Sequence, residues 1–175
     1  VYKRQAKVTA SIAYFSRKAK NLIDFVKNSN DDSIPFRAEN IQQVNTNGID
    51  LELIHLISFN SLTHQFKINY SYLENNLENN GYNFSRYTIN NDLKHHVVGS
   101  YNWPITENLN TYFVYKYVER TSGDAYAVVD ASARWTVGSF EINLYFNNIF
   151  NKDYWESNLV PMPKGNGLLG LRYSF

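Results

Sequence analysis

The sequence predicts an all-β protein, an antiparallel up-and-down meander of about eight strands that is part of a larger transmembrane β-barrel. Three observations support this fold class. Apolar and polar residues alternate with a period of two in nearly every segment. Short connections mostly alternate with longer polar ones that are rich in Asn and Gly. Aromatic residues, which make up 16% of the 175 residues, gather at the ends of the apolar stripes.

The first four predicted strands are the less regular half. Apolar residues occupy alternate positions in each, as Phe66 and Ile68 do on either side of Lys67. Pro104 ends the fourth strand, because proline cannot donate a hydrogen bond to the ladder. The ranges are 8–14, 49–57, 62–72 and 93–103.

The last four predicted strands alternate more strictly. In the final strand Leu169 and Leu171 are separated by Gly170 and followed by Arg172. The two residues Gly138 and Ser139 lie between two such strands, which predicts a tight hairpin. The ranges are 109–117, 127–137, 140–146 and 167–175.

The composition excludes several other classes of protein. The chain is 43% hydrophobic, too apolar and too aromatic for a disordered segment, and it has no Cys for disulfides or thiol catalysis. Its 17 Lys and Arg nearly balance 16 Asp and Glu, so no nucleic-acid partner is expected. No apolar run reaches the roughly 18 residues that a spanning helix needs.

The two faces of the predicted strands indicate which side meets lipid. Tyr101 and Trp103 at one rim, and Tyr72 and Tyr117 near the other, share the apolar parity and resemble the interfacial girdles of a membrane barrel. The opposite parity carries polar and charged residues suited to a water-filled lumen. The predicted lumen-facing residues are Lys67, Lys94, His96, Lys116, Arg134, Glu141 and Arg172.

The end of the chain resembles a known family. Residues 147–154 read Asn-Asn-Ile-Phe-Asn-Lys-Asp-Tyr, residues 160–165 read Val-Pro-Met-Pro-Lys-Gly, and the last strand ends in Phe175. This is similar to the C-terminal end of TonB-dependent outer-membrane receptors, although Lys164-Gly165-Asn166 stands where those proteins commonly have Gly-Arg.

An earlier stretch extends the resemblance over essentially the whole chain. Segments 21–25, 36–41 and 44–52 resemble the paired strands found about eight strands from the end of such barrels. Within this family, the sequence most resembles the cobalamin-receptor branch.

The resemblance implies an active importer of the bacterial outer membrane. Such receptors are barrels of about 22 strands with a plugged lumen, and the plug precedes the barrel in sequence. Residues 1–175 are therefore expected to be the C-terminal part of the barrel, with the plug domain absent from this chain. The implied ligand is scarce, with cobalamin slightly ahead of a ferric siderophore or another metal chelate.

The implied partners follow from the same resemblance. They are outer-membrane lipid, the TonB energy-coupling complex acting through the missing plug, and the barrel-assembly machinery. Leu171, Tyr173 and Phe175 resemble the terminal aromatic signal that this machinery reads.

No enzymatic function, cofactor or metal site is predicted. Nucleophile-elbow, Walker-type and dinucleotide-binding motifs are absent from the sequence. His95 and His96 are adjacent in a strand and point to opposite faces, so they cannot chelate one ion. The acidic run at residues 28–32 lacks the spacing of a calcium loop.

Ligand-binding residues are expected on the long loops. Large ligands such as corrinoids or metal chelates offer apolar faces and anionic edges, which suit aromatic and cationic side chains. Side chains of these types more commonly serve as girdle or loop-packing residues. The candidates are Arg37, Tyr82, Arg86, Tyr87, Tyr154 and Trp155.

Two alternatives remain open at the level of sequence. Eight strands can close on their own, so the chain could be a complete small outer-membrane barrel of structural or adhesive type. A soluble β-sandwich binding module would show the same alternation, with its apolar face turned inward.

Overall fold

The computed structural model of the chain describes residues 5–28, 31, 33–77, 84–85, 93–121, 124–157 and 160–175. No helix within these ranges is long and apolar enough to cross a membrane. The strands are β1 (Gln5–Lys27), β2 (Arg37–Phe59), β3 (Leu62–Leu77), β4 (Phe84–Ser85), β5 (Leu93–Pro104), β6 (Leu109–Arg120), β7 (Tyr126–Val137), β8 (Phe140–Asn147), β9 (Trp155–Ser157), β10 (Val160–Pro161) and β11 (Asn166–Tyr173).

Nine of these strands form one sheet in the order β11-β8-β7-β6-β5-β3-β2-β1-β4, and β9 pairs with β10 separately. All of the pairings are antiparallel, and the long strands pair with their neighbours in sequence. The predicted meander is therefore confirmed, and its eight long strands are β1, β2, β3, β5, β6, β7, β8 and β11. Within the described residues the sheet is open, because β11 and β4 lie at opposite edges.

Cross-strand pairing sorts the side chains onto two faces, because residues opposite each other in a ladder project to the same side. Leu171 lies opposite Ile142, whereas Arg172 lies opposite Glu141. We call the side of Leu171 the apolar face and the side of Arg172 the polar face. The same sorting reaches the far edge of the sheet, where Ile12 lies opposite Leu51 on the apolar face.

The short and long connections separate to two rims. At the short-turn rim, residues 60–61 join β2 to β3, and residues 138–139 join β7 to β8. Asn60, Ser61 and Gly138 have positive φ values of 48°, 65° and 58°. A left-handed backbone matches the twist of the strands on either side of a tight hairpin. The longer connections, which follow β1 and β8, begin at the opposite, long-loop rim.

Aromatic rings lie at both rims of the apolar face, where the sequence predicted girdles. At the short-turn rim the rings of Tyr101 and Trp103 are 6.2 Å apart, and those of Phe140 and Tyr173 are 5.0 Å apart. Towards the long-loop rim the ring of Tyr72 is 5.1 Å from that of His95.

Strands β1 and β2 are much longer than the sequence predicted, at 23 residues each. Segments 8–14 and 21–25 belong to one strand, and segments 36–41 and 44–52 to the next. About 9–11 residues suffice to cross a bilayer, so the two strands extend well beyond it. Asn21, which has a φ of 57°, does not pair in the ladder between β1 and β2. Near the long-loop rim, Val26 and Val44 form a small core against Leu22.

Candidate functional site

Four of the predicted lumen-facing residues form an ionic pair or lie near one between adjacent strands of the polar face. Lys67 Nζ is 2.5 Å from Glu52 Oε2, and the two residues sit on adjacent strands. Arg134 Nε is 3.9 Å from Glu141 Oε2 and donates a hydrogen bond to Asn143 Oδ1 at 3.3 Å. Arg172 lies exposed and directly opposite Glu141. The predicted charges of this face therefore lie beside one another across the strands.

Lys94 departs from the prediction. The pairing of β5 with β6 shifts by one residue between Leu93 and His95, which is a β-bulge. Lys94 Nζ consequently lies 3.7 Å from Glu119 Oε1, and Tyr117 on the apolar face donates a hydrogen bond to that same carboxylate. Leu93, expected on the apolar face, instead packs against buried residues of the polar face. An extra residue in one strand reverses the alternation, so the polar-face prediction for Lys94 is wrong.

The two adjacent histidines lie on opposite faces. His95 Nδ1 is 2.8 Å from the hydroxyl oxygen of Tyr70, which belongs to the apolar face. His96 lies opposite Val118 on the polar face. In the described part of the chain, no three His, Cys, Asp or Glu side chains lie close enough together to hold a metal ion.

A mixed polar and aromatic cluster occupies the polar face near the long-loop rim. It consists of Lys116 on β6, Tyr126 on β7, and Tyr154 and Glu156 from the connection between β8 and β11; we call it the inner cluster. Lys116 donates a hydrogen bond to Glu156, and the Tyr126 hydroxyl donates to the same oxygen at 3.4 Å. The rings of Tyr126 and Tyr154 are 4.7 Å apart.

The lysine of the inner cluster is held by a carboxylate and by two ring faces. Lys116 Nζ lies 6.0 Å from the ring centre of Tyr126 and 5.9 Å from that of Tyr154, at the range of a cation–π contact. The hydrogen bond from Lys116 holds the pKa of Glu156 below its usual range, and burial raises the pKa of the Tyr154 hydroxyl. At neutral pH the cluster is therefore an ion pair between aromatic walls, which suits binding and positioning.

Asn148 attaches the connection to the sheet. It is buried, with 3% of its surface exposed, and its φ of 49° is one that asparagine tolerates better than most residues. Its backbone N–H donates to Asp130 Oδ1 at 2.7 Å, and the next N–H, of Ile149, donates to the carbonyl of Val129 at 2.9 Å. We call residues 148–165 the covering segment, because it begins on the edge of β7 and brings Tyr154 and Glu156 over the polar face.

The same asparagine also organises the turn inside the covering segment. Its side-chain amide donates to the carbonyl of Lys152 at 2.8 Å, and its Oδ1 accepts from the N–H of Lys152 at 2.8 Å. Asn151 Oδ1 accepts from the N–H of Gly165 at 3.0 Å. A Cβ on Gly165 would lie only 2.9 Å from the carbonyl oxygen of Asn148, so the close approach requires glycine here.

The predicted loop candidates separate into three groups. Tyr154 is half-buried in the inner cluster, whereas its neighbour Trp155 is 53% exposed. Arg37 is exposed at the start of β2. Tyr82, Arg86 and Tyr87 lie outside the described residues.

The three residues proposed for assembly lie at the end of the chain and are exposed. Leu171 and Tyr173 belong to the apolar face of β11, and the rings of Tyr173 and Phe175 are 6.3 Å apart. They present an apolar strand end at the short-turn rim.

Sequence reasoning missed the residues that hold the covering segment. Glu156 and Tyr126 were not predicted, because no pattern connects Lys116 to a carboxylate 40 positions later. Asp130 lay on the polar parity of a predicted strand and Asn148 within the recognised terminal motif. That motif was the available signal, although it did not reveal which strand Asn148 contacts.

The comparisons with known proteins agree with this geometry. The family described as "TonB dependent receptor-like, beta-barrel" matches residues 2–149. No curated protein matches the chain. Two similar solved structures are variants F3-3 and F5-1 of the FrpB iron transporter from Neisseria meningitidis, at 18% and 17% identity and TM-scores of 0.65 and 0.67.

The similarity to these structures concerns the fold, and it covers 96% of this chain. The chain spans 29% of the length of each of the two transporters. Because the family match covers most of the sequence, the chain belongs to the TonB-dependent receptor β-barrels, a family of the bacterial outer membrane.

Proposed function

We propose that residues 1–175 are the C-terminal part of the barrel of a TonB-dependent receptor that imports a scarce metal chelate. The plug that closes the lumen and contacts the TonB complex would lie upstream in the same polypeptide. An iron chelate is the first candidate ligand and cobalamin the second. The polar face would line the lumen, and the apolar face would contact outer-membrane lipid.

One observation carries this proposal. The polar face is charged along the strands, and at the long-loop rim the covering segment folds onto it through the Lys116–Glu156 pair. Charge on the inner wall and an anchored segment at its mouth suit a pore that admits a polar ligand from outside. Trp155 is exposed beside this pair and offers a flat apolar surface for a large ligand.

Different observations favour the iron chelate and cobalamin as the imported ligand. The two similar structures are variants of an iron transporter, which favours an iron chelate. The cobalamin alternative rests on the resemblance of the sequence to the cobalamin-receptor branch. Either ligand presents apolar faces and anionic edges, for which Trp155 and Arg37 are suitable partners.

The test is uptake by cells that express the full-length receptor as the sole importer. We expect accumulation of a radiolabelled ferric siderophore to require the receptor and an intact TonB complex. Trp155→Ala should weaken siderophore binding about tenfold, because one aromatic contact of about 1.4 kcal/mol is lost. The matched control is Phe150→Ala, another exposed aromatic of the covering segment.

The outcomes separate the parts of the proposal. Receptor-dependent uptake of radiolabelled cobalamin without uptake of iron would reverse the order of the ligands. Uptake of neither compound, or uptake that is independent of TonB, would contradict the importer itself. An equal loss of binding in Trp155→Ala and Phe150→Ala would remove Trp155 from the site.

A complete small barrel of structural or adhesive type is the competing function. The open order of the described sheet disfavours it, since β11 and β1 lie near opposite edges and do not pair there. Determining the coding sequence upstream of residue 1 tests this directly. An in-frame plug domain supports the importer, and its absence from the full gene would support the small barrel.

The terminal strand is the proposed contact of the barrel-assembly machinery. The exposure of Leu171, Tyr173 and Phe175 supports this role. Removal of Phe175 should lower the amount of folded full-length receptor in the outer membrane, whereas Ser174→Ala should not.

A further inference from the structure

The apolar face ends at one level across β1, β2 and β3. Tyr14, Ile49 and Tyr72 are the last members of the apolar stripes and lie side by side in the ladder. The next residues on the same face are polar: Ser16, Asn47 and Glu74. The Tyr14 hydroxyl donates to Asn47 Oδ1 at 3.3 Å, as expected of a tyrosine at a membrane interface. This level is the boundary of the hydrocarbon on the long-loop side.

Two lysines project from the same face just beyond this boundary. Lys18 and Lys20 are exposed and belong to the parity of Tyr14. Lys18 lies opposite Asn45, and Lys20 lies opposite Gln43, whose amide donates to Asn45 Oδ1 at 3.3 Å. Arg17, between the aromatic boundary and these lysines in sequence, projects to the polar face instead.

Acidic residues occur on both sides of the two lysines. The buried Asp24 lies four positions beyond Lys20 on β1, and Glu39 lies opposite Asp24 on β2. Glu74 is on β3, opposite Asn47, and therefore two strands from β1 and below the level of Lys18. Because Tyr14 and Lys18 are four residues apart, the lysine lies about 13 Å further along the strand, or about 10 Å along the membrane normal at a barrel tilt of about 40°. A lysine side chain at that height reaches down into the headgroup layer.

An apolar groove lies directly below the boundary on the same three strands. Its volume is about 400 Å³, and Ala10, Ile12, Leu51, Leu53 and Ile68 contribute to its lining. Ala10 is small and lies opposite Leu53, which leaves the space open between larger neighbours. A groove of this kind on a lipid-contacting face suits an acyl chain.

We propose that this face of β1–β3 binds a phosphorylated lipid of the outer leaflet. One acyl chain occupies the groove beside Ala10 and Ile12, and the headgroup phosphate is bound by Lys18 and Lys20. Ala10 and Ile12 of the groove lie on the same strand as Lys18 and Lys20, in the order that a lipid presents its chain and its phosphate to a barrel. The site depends on membership of the outer-membrane family and not on which ligand the receptor imports.

The test uses the full-length receptor in neutral detergent, titrated with diphosphoryl lipid A and observed by native mass spectrometry. Lys18→Gln/Lys20→Gln should weaken binding about thirty-fold, because each lysine near an anionic lipid surface contributes about 1 kcal/mol. The matched control is Lys7→Gln/Arg17→Gln, which removes two cations of the same strand from the polar face. The control should change binding less than about twofold.

Further arms identify which part of the lipid is bound. Ala10→Phe fills the groove and should weaken binding while both lysines remain. Removing the phosphates from the lipid should have the same effect as the double lysine variant. An excess of inorganic phosphate should not displace the lipid, because it lacks the chain.

Three results would overturn the proposal. They are an equal loss in the polar-face control, unchanged binding in Lys18→Gln/Lys20→Gln, and equal binding of the dephosphorylated lipid. Both lysines lie outside the apolar band and are exposed, so the double variant keeps the barrel fold. Heat-modifiable migration of the purified receptor verifies folding in each variant.

Discussion

Two regions at the long-loop rim, the covering segment and the extension of β1 and β2 beyond Tyr14 and Ile49, are held in place by different interactions. The covering segment is attached to the sheet by buried polar contacts, chiefly those of Asn148 with Asp130 and with Lys152. The extension of β1 and β2 continues the strand ladder, with Val26 and Val44 as its small core and Asp24, Gln43 and Thr46 buried as well. The covering segment thus depends on a few side-chain hydrogen bonds, whereas the extension adds a continuous backbone ladder to its buried side chains.

The kind of contact in each region determines which substitutions that region tolerates. A buried polar group that loses its partner costs its full desolvation energy, so the covering segment is sensitive to single polar changes. A ladder distributes its stability over many backbone bonds, so the loss of one side-chain hydrogen bond should matter less in the extension than in the covering segment. Hydrogen exchange in the full-length receptor reports the opening free energy of each region separately.

The largest effect is expected from Asn148→Ala. The change leaves the N–H and carbonyl of Lys152 without the side chain that satisfies them, and alanine is strained at a φ of 49°. The opening free energy of the covering segment should fall by about 3 kcal/mol. Residues 22–44 should be unchanged.

Asn147→Ala is the matched control, because this neighbouring asparagine is exposed and its side-chain amide donates across the surface to Asn166 Oδ1 at 3.0 Å. Its effect should remain below about 0.5 kcal/mol. If both variants opened the segment equally, the burial of Asn148 would not be what holds it.

A smaller effect, confined to the other region, is expected from Gly48→Ala. The Phe15 ring covers Gly48 on the polar face, and an added Cβ would lie 2.2 Å from Phe15 Cζ. The ring must move, which costs about 2 kcal/mol of overpacking. Hydrogen exchange should show the loss in the ladder around residues 15 and 48, with the covering segment unaffected.

Gly99→Ala provides the control for this substitution, since the nearest atom to a new Cβ there is 4.0 Å away. Adding Phe15→Ala to Gly48→Ala should recover part of the loss, because the two positions are in contact and their effects are not additive. The steric explanation is wrong if the double variant is as unstable as the sum of the two single variants.

The sequence predicted the regular part of this fold because alternation is a local property. Leu169 and Leu171 on one side and Arg172 on the other sufficed to assign the faces of β11, and the structure agrees. The bulge next to Lys94 could not be predicted, because it depends on how β5 registers with β6 and not on its own residues. Similarly, the alternation of β1 gave no indication that the strand would continue through Asn21.

The site was less predictable than the fold for a related reason. Tyr154 was identified through the terminal motif, but its ring partner Tyr126 and the Lys116–Glu156 pair come from parts of the chain that share no common pattern. A loop carries no periodicity that could relate its residues to a distant strand. Only the structure brings them together.

The smallest expected effect is a pH dependence of the covering segment, because its Lys116–Glu156 contact is ionic. The extension of β1 and β2 should not share this pH dependence. The pKa of Glu156 is lowered from its ordinary value of 4.5, chiefly by the hydrogen bond from Lys116. A carboxylate with a lowered pKa contributes stability above its ordinary value and loses it as pH falls through the lowered one. Both side chains are about one-third exposed, at 30% and 35%, so water screens the pair and the contribution is about 0.5 kcal/mol.

The opening free energy of residues 154–157, corrected for intrinsic exchange rates, should therefore be constant from neutral pH down to about pH 5 and then decline. Glu156→Gln should remove this decline and lower the opening free energy at neutral pH to the acidic level of the unmodified receptor. Glu107→Gln, at an exposed turn on the opposite rim, should leave the profile unchanged. An identical acid-dependent decline in the β1–β2 extension would show that it comes from the receptor as a whole, and the ionic contact would then not distinguish the two regions.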